Sequence, residues 1–181
     1  MSEGIYPARG RIFRPWKNGG GETAEIAISP VSAGTETFSW RISTAWVAQD
    51  GPFSHFPGID RILTVIEGGP MLLEVEGKPI VMDETSPALT FAGEAAVTAR
   101  LLGPPLLDFN LMLRRPRKAH THKGQFNPDL GAQILLLTEP WAGFERLDLI
   151  DFSQRPDLRQ GLRGARGIAV CFEAETTSKP R

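Results

Sequence analysis

Apolar and polar residues alternate with a period of two along much of this chain. Between Phe38 and Val47, a strand would place Phe38, Trp40, Ile42, Thr44 and Trp46 on one face. Ser39, Arg41, Ser43, Ala45 and Val47 would take the other, and Asp50-Gly51-Pro52 breaks the run. Arg61 to Glu67 reads as a second strand, turned by Gly68-Gly69-Pro70. Met71 to Glu76 and Ile80 to Met82 flank the turn Glu76-Gly77-Lys78-Pro79. Thr90-Phe91 and Ala96 to Leu102 are weaker strand signals. From Leu106 to Arg114 the alternation is clear again, with Leu107, Phe109, Leu111 and Leu113 set against Asp108, Asn110, Met112 and Arg114.

Arg115 to Gly124 is basic and polar without periodicity, and reads as a connection between two halves. Beyond it, Ala132 to Thr138, Arg146 to Phe152 and Gly167 to Glu173 are three more strand-like runs. Helical periodicity is scarce: Pro156 to Leu162 predicts one turn or two, and residues 174–181 a frayed tail. Many short strands punctuated by Gly and Pro predict an all-β sandwich or closed barrel.

Composition narrows the function more than the fold. With 181 residues the chain is one large domain or two small fused ones. Twenty Lys and Arg against 21 Asp and Glu leave no basic excess for nucleic-acid binding. No run of about 18 apolar residues suggests a membrane span. No apolar stretch follows Met1-Ser2-Glu3-Gly4, so no signal peptide is expected and a reducing cytoplasm is the expected compartment. The lone Cys171 excludes a disulfide framework and an all-cysteine metal site; among apolar neighbours it is expected to be inert.

The chemistry is carried by polar residues on strand faces. Arg41 and Ser43 share one; Arg61 shares another with Leu63 and Val65; Asp108, Asn110 and Arg114 share a third; Thr23 and Glu25 alternate with Ala24 and Ile26. If these faces turn inward together, they form a pocket of guanidiniums, a carboxylate, an amide and hydroxyls. A guanidinium inside a barrel needs a partner, for which Asp108 and Glu25 are candidates; its fork also fits a ligand carboxylate. The competing reading is a set of wet strand faces, or internal ion pairs with no ligand.

Trp16-Lys17-Asn18-Gly19-Gly20-Gly21-Glu22-Thr23 reads as a tight turn into a strand. It lacks the phosphate-loop spacing and a following helix. His120 and His122 lie in a basic stretch that opposes cation binding, and His55 sits in a Pro-rich loop, read as surface.

These residues resemble the HutD/Ves family. Trp16 to Gly21 with Thr23, Glu25 and Ile26 is similar to its opening motif. Phe38 to Ala45, Gly51 to Ser54, Phe56-Pro57-Gly58 and Arg61 are similar to its central motif. Glu67-Gly68-Gly69, Phe91, Gly103, Asp108 to Met112 and Arg114 complete the likeness, which covers about residues 10–115.

The resemblance implies a cupin-type β-barrel or jelly roll. It implies a bicupin: a first barrel over residues 1–115 and a second, degenerate cupin half over 116–181 packed on it. It also implies a link to histidine utilisation, with carboxylates such as urocanate or formylglutamate as ligands. Metal-binding cupins carry His-x-His, a Glu and a later His. Here the corresponding stretch, Phe53 to Arg61, holds one histidine, with Arg61 close to where the Glu would fall. No metal and no other cofactor is therefore expected.

The leading expectation is a metal-free binding or sensing protein for a small anionic molecule. Arg41 and Arg61 would hold its carboxylate, Ser43 and Asn110 would bond its remaining oxygens, and Asp108 would orient an arginine. Trp16 and Asn18 would sit at the rim, near Thr23. A second reading is a metal-independent isomerase or lyase moving a proton with His55 or Asp108. A third is an interaction module that forms a homodimer through Trp40 and Trp46.

Overall fold

The computed structural model describes residues 3–17, 19–34 and 37–174. The strands are β1 (Ile5–Tyr6), β2 (Arg14–Pro15), β3 (Gly21–Ser29), β4 (Trp40–Val47) and β5 (Gly51–Pro52). There follow β6 (Ile59–Glu67), β7 (Met71–Val75), β8 (Lys78–Met82), β9 (Leu89–Ala92) and β10 (Val97–Leu101). The last five are β11 (Leu106–Arg114), β12 (Ala119–Gln125), β13 (Ile134–Leu137), β14 (Leu149–Asp151) and β15 (Arg166–Phe172). Among the described residues the helical pieces are three-residue 3₁₀ turns at Pro128–Leu130, Pro156–Leu158 and Gln160–Leu162. The last two fall where one turn or two was expected.

All ladders are antiparallel, and they form three sheets. A six-stranded sheet runs β2-β3-β4-β11-β6-β9, a four-stranded one β5-β10-β7-β8, and a five-stranded one β1-β14-β13-β15-β12. The six-stranded sheet is the middle layer. Side chains alternate across a strand, so β11 feeds two cores at once. Leu107, Phe109, Leu111 and Leu113 pack with Ile42 and Ile62 against Ile134, Leu136, Ile168 and Val170 of the five-stranded sheet. On the opposite face Leu106 joins Leu63, Val65, Met71 and Leu73 between the middle and four-stranded sheets. Each such fully buried side chain contributes about 1.5–3 kcal/mol relative to exposure. The middle and four-stranded sheets, facing each other, make the cupin-type barrel.

Three features depart from the sequence reading. The stretch read as an aperiodic connection contains β12, an edge strand paired with β15 from Ala119↔Phe172 to Gln125↔Arg166. Its polar composition concealed it: Thr121 and Lys123 point toward the middle layer and His120 and His122 away from it, so no apolar alternation marks the strand. Lys123 Nζ donates to the carbonyls of Val65 and Glu84, each at 2.7 Å, and ties β12 to the barrel. Trp40 and Trp46 are not a free docking face; they pack on the core between the middle and five-stranded sheets. The Trp40 ring lies 5.5 Å from that of Phe172. Finally, β1 pairs with β14 through Ile5↔Ile150 and Tyr6↔Leu149, so residues before 115 contribute to the C-terminal sheet.

The C-terminal residues form, with β1, a single sheet whose outer face is closed by Phe126, Phe152, Leu162 and Ala165. Residues 175–181, read as a tail, lie outside the described residues.

Candidate functional site

Register in the middle sheet sets the site. Met112 of β11 is in register with Arg41 on β4 and with Arg61 on β6. Two residues along, Asn110 faces Ser43 and Leu63; two further, Asp108 faces Ala45 and Val65. Partners directly opposite share a face, so Arg41, Arg61, Ser43, Asn110 and Asp108 all turn toward the barrel interior. There they line a cavity of about 660 Å³, with Trp16, Lys17, Thr23, Phe53, Phe56 and Met112 completing its wall.

The two arginines are held differently. Arg41 is ion-paired, its Nε donating to Glu25 Oε2 at 2.7 Å, and its Nη1 contacts Met112 Sδ at 3.7 Å. A bulge between Glu25 and Ala27 lets Glu25 meet Arg41 while Ile26 and Ala27 both enter the core behind. Arg61 is only 6% exposed. Its guanidinium carbon lies 4.9 Å from the Phe53 ring centre, 5.2 Å from Phe91 and 5.8 Å from Phe56. These rings supply an electrostatic partner that costs no counter-charge. Arg61 Nε has no hydrogen-bond partner. Burial pulls the guanidinium down to about 10, with Asp108 opposing and Arg41 adding to the fall. It therefore remains a cation at neutral pH.

The acceptors are buried too. Asp108 is 2% exposed and its Oδ1 has no partner. Burial pushes its carboxyl up to about 7, against the opposing pull of Arg61 and a backbone hydrogen bond from Ala45. Asn110 Oδ1 is likewise unpartnered. At the rim, Trp16 Nε1 donates to Thr23 Oγ1 at 2.7 Å. Trp16 is set by the turn joining β2 to β3, closed by Trp16 N–H to the Gly21 carbonyl at 2.8 Å. A Cβ at Gly21 would collide with the Trp46 carbonyl oxygen and crowd the Trp16 ring, so this position requires glycine.

Thus Arg41, Ser43, Arg61, Asp108, Asn110, Trp16 and Thr23 all reach one cavity, while Asn18 lies outside the described residues. The sequence reading missed the rings around Arg61. Their signal was the apolar pair Phe53 and Phe56 in an otherwise polar loop just before it. His55 is exposed and not part of the cavity wall.

The donor set does not suit a cupin metal. The cavity wall offers two guanidiniums, an ammonium, an amide, hydroxyls and one carboxylate, and no imidazole. Among the described residues no group of three or more His, Cys, Asp or Glu is arranged to hold a metal ion. His120 and His122 instead line a separate hollow of about 250 Å³ on the outer face of the five-stranded sheet, with Cys171. Burial raises the Cys171 thiol, which suits an unreactive group. No helix among the described residues is long and apolar enough to cross a membrane.

Known proteins agree with this architecture. A conserved protein of unknown function from Pseudomonas aeruginosa PAO1 superposes with a TM-score of 0.72 at 28% identity, covering 94% of this chain and 98% of that one. HutD from Pseudomonas fluorescens SBW25, solved in a formate condition, gives 0.66 at 30% identity over 92% and 91%. A 21.2 kDa protein in the hutC 3' region of Pseudomonas putida is 44% identical over 98 residues, 54% of this chain and 51% of that protein. Such matches span about half the length of the curated relatives. The HutD family model matches residues 12–137, well over half of the chain. With these likenesses in sequence and fold, the chain belongs to the HutD family.

Proposed function

We propose that the barrel cavity is a metal-free binding site for a small carboxylate, and that the protein acts as a sensor or regulator linked to histidine utilisation. The observation that carries this is the Arg41–Met112–Arg61 row, which sets two guanidiniums into one cavity wall. Arg61 borders the cavity as a buried cation, and a guanidinium fork fits a ligand carboxylate. Family membership and the hutC-region relative support the histidine link, with urocanate and formylglutamate as first candidates.

The test is a thermal-shift screen of these two acids and other small carboxylates, read beside a metal analysis of the purified protein. Acids that raise Tm for the native chain and not for Arg41→Ala or Arg61→Ala support the reading. Unchanged affinity in both variants, or a stoichiometric transition metal in the cavity, would remove it.

A second reading is a metal-independent isomerase or lyase. One observation favours it: Asp108 stands in the cavity with a carboxyl that exchanges its proton near neutrality, as a general acid or base requires. Recovering the bound acid unchanged after long incubation, by mass spectrometry, decides for the sensor; a rearranged or cleaved product decides for the enzyme.

A further inference from the structure

A carboxylate entering the barrel would meet one that is already there. Asp108 borders the same cavity as Arg61 and is 2% exposed. It stands on β11 between Ala45 of β4 and Val65 of β6. Its Oδ1 is closed off from solvent and has no hydrogen-bond donor, so it acts on an occupant through its charge and not by contact. The ionised form is helped by the Arg61 guanidinium and by a backbone hydrogen bond from Ala45. Burial opposes it more strongly and pushes the carboxyl up to about 7.

The other charged groups around Asp108 are engaged elsewhere. On β4, Arg41 is bound to Glu25 of β3 at 2.7 Å. Farther along β11 itself, Arg114 donates to the Phe38 carbonyl at 2.8 Å. Lys17, on the turn between β2 and β3, is exposed at the cavity mouth, where water screens it. The facing four-stranded sheet presents the apolar Met71, Leu73, Val97 and Ala99. The loop after β5 adds Phe53, Ser54 and Phe56 to the wall, with His55 outside it. Arg61 on β6 is therefore the cation whose charge bears on Asp108.

A bound carboxylate and Asp108 would both draw on that one guanidinium. Once a ligand oxygen settles against Arg61, its charge cancels the pull on Asp108 and adds a repulsion in a space with little water. Two carboxylates so placed cannot both stay ionised cheaply. Resting on the carboxylate reading above, we infer that the cavity takes up a proton with each carboxylate it binds, and that Asp108 is where the proton goes. The proton comes from solvent and forms the O–H bond of the Asp108 carboxyl, while the ligand stays ionised against Arg61. The sign follows from linkage: where the free site has already lost this proton, binding must restore it, so affinity falls as pH rises. The cavity thus reads the anion and the acidity of the medium together.

Isothermal titration of the full chain with formylglutamate and with acetate tests this, since neither acid titrates between about pH 6 and about pH 9. If binding raises the Asp108 carboxyl by about one pKa unit, affinity should be at least about fivefold weaker at about pH 8.5 than at about pH 6. Repeating the titration at about pH 7.5 in buffers of different ionisation heat should show about half a proton taken up per ligand. In Asp108→Asn, which carries the neutral form permanently, the uptake should vanish and the pH profile should flatten to less than about twofold. Infrared difference spectra of the native chain need no variant: adding ligand should increase the band of a protonated carboxyl. Binding without proton uptake and with a flat pH profile overturns the inference and leaves the carboxylate reading standing. Uptake that persists in Asp108→Asn overturns it too, because the proton then goes elsewhere. Failure of formylglutamate, urocanate and acetate alike at about pH 6 overturns both.

Discussion

Arg41 and Arg61 stand at one level of the middle sheet, one on each side of Met112 and each in register with it. Their backbones are two strand spacings apart, about 9.6 Å, so two long side chains converge on space that no single strand could frame. Their environments make their roles separable. Arg41 has a carboxylate partner, whereas Arg61 is held by three rings and its own burial.

Arg61→Met should leave the protein folded, with stability unchanged or raised by about 1–2 kcal/mol. A buried cation without a hydrogen-bonded carboxylate is costly to desolvate, and Met fills similar volume among Phe53, Phe56 and Phe91. The same variant should lose the ligand-induced rise in Tm. Urea denaturation and thermal shift report the two effects separately. A variant that loses several kcal/mol yet still responds to ligand would show Arg61 to be a structural residue.

Asp108 should make stability depend on pH. Its folded-state carboxyl is raised to about 7 from an ordinary 3.8, so between those values the native state holds a proton that the unfolded chain has released. Stability is therefore full below about pH 4, falls as pH rises, and levels off above about pH 7. The loss is of the order of a few kcal/mol. Asp108→Asn should flatten this slope and exceed the native chain in stability at pH 8. Parallel denaturation curves from pH 4 to 8 would decide it, and equal slopes in both proteins would count against the assignment.

Glu25→Gln should strengthen anion binding severalfold at little cost. The Glu25 side chain is 45% exposed, so its pair with Arg41 contributes less than about 1 kcal/mol to stability. Removing its charge frees Arg41 for the ligand. Titration of a small monocarboxylate into both proteins measures the change, and weaker binding by the variant would mean that Glu25 orients Arg41 instead of competing for it.

Thr44 and Thr64 both flank Phe109 in register, and neither hydroxyl has a partner. Since an unpaired buried hydroxyl is costly, Thr44→Val and Thr64→Val should each be neutral or stabilising by about 1 kcal/mol. A loss beyond about 1 kcal/mol in either variant, read from urea midpoints, would reveal a hydrogen bond, such as one to a trapped water.

Much of the barrel was legible because its strands are amphipathic in a way that composition exposes. In β4 and β11 the apolar residues occupy every second position, so the polar set Arg41, Ser43, Asp108 and Asn110 declared its shared face. Glu25 was recognisable as an arginine partner for the same reason. The middle sheet's burial on both sides was not legible, because Trp40 and Trp46 look alike whether they meet another sheet or another subunit. Nor was β12, whose inward residues are Thr121 and Lys123 and whose outward ones are histidines. The Phe cage around Arg61 depends on a loop folding back over β6, and no periodicity encodes that.

The pairing of Ile5–Tyr6 with β14 gives the chain a late-closing clasp. Ala8 N–H bonds Asp148 Oδ1 at 2.7 Å, and Arg11 reaches the Leu147 carbonyl at 2.9 Å, so the segment from Ile5 to Arg11 is laced to β14 and the residues just before it at one margin. During synthesis this margin must wait until residues beyond Asp151 have emerged, long after the barrel strands are available to pair. Proteolytic trimming of the first few residues would leave the β14 margin bare, and a bare margin recruits strands from other molecules.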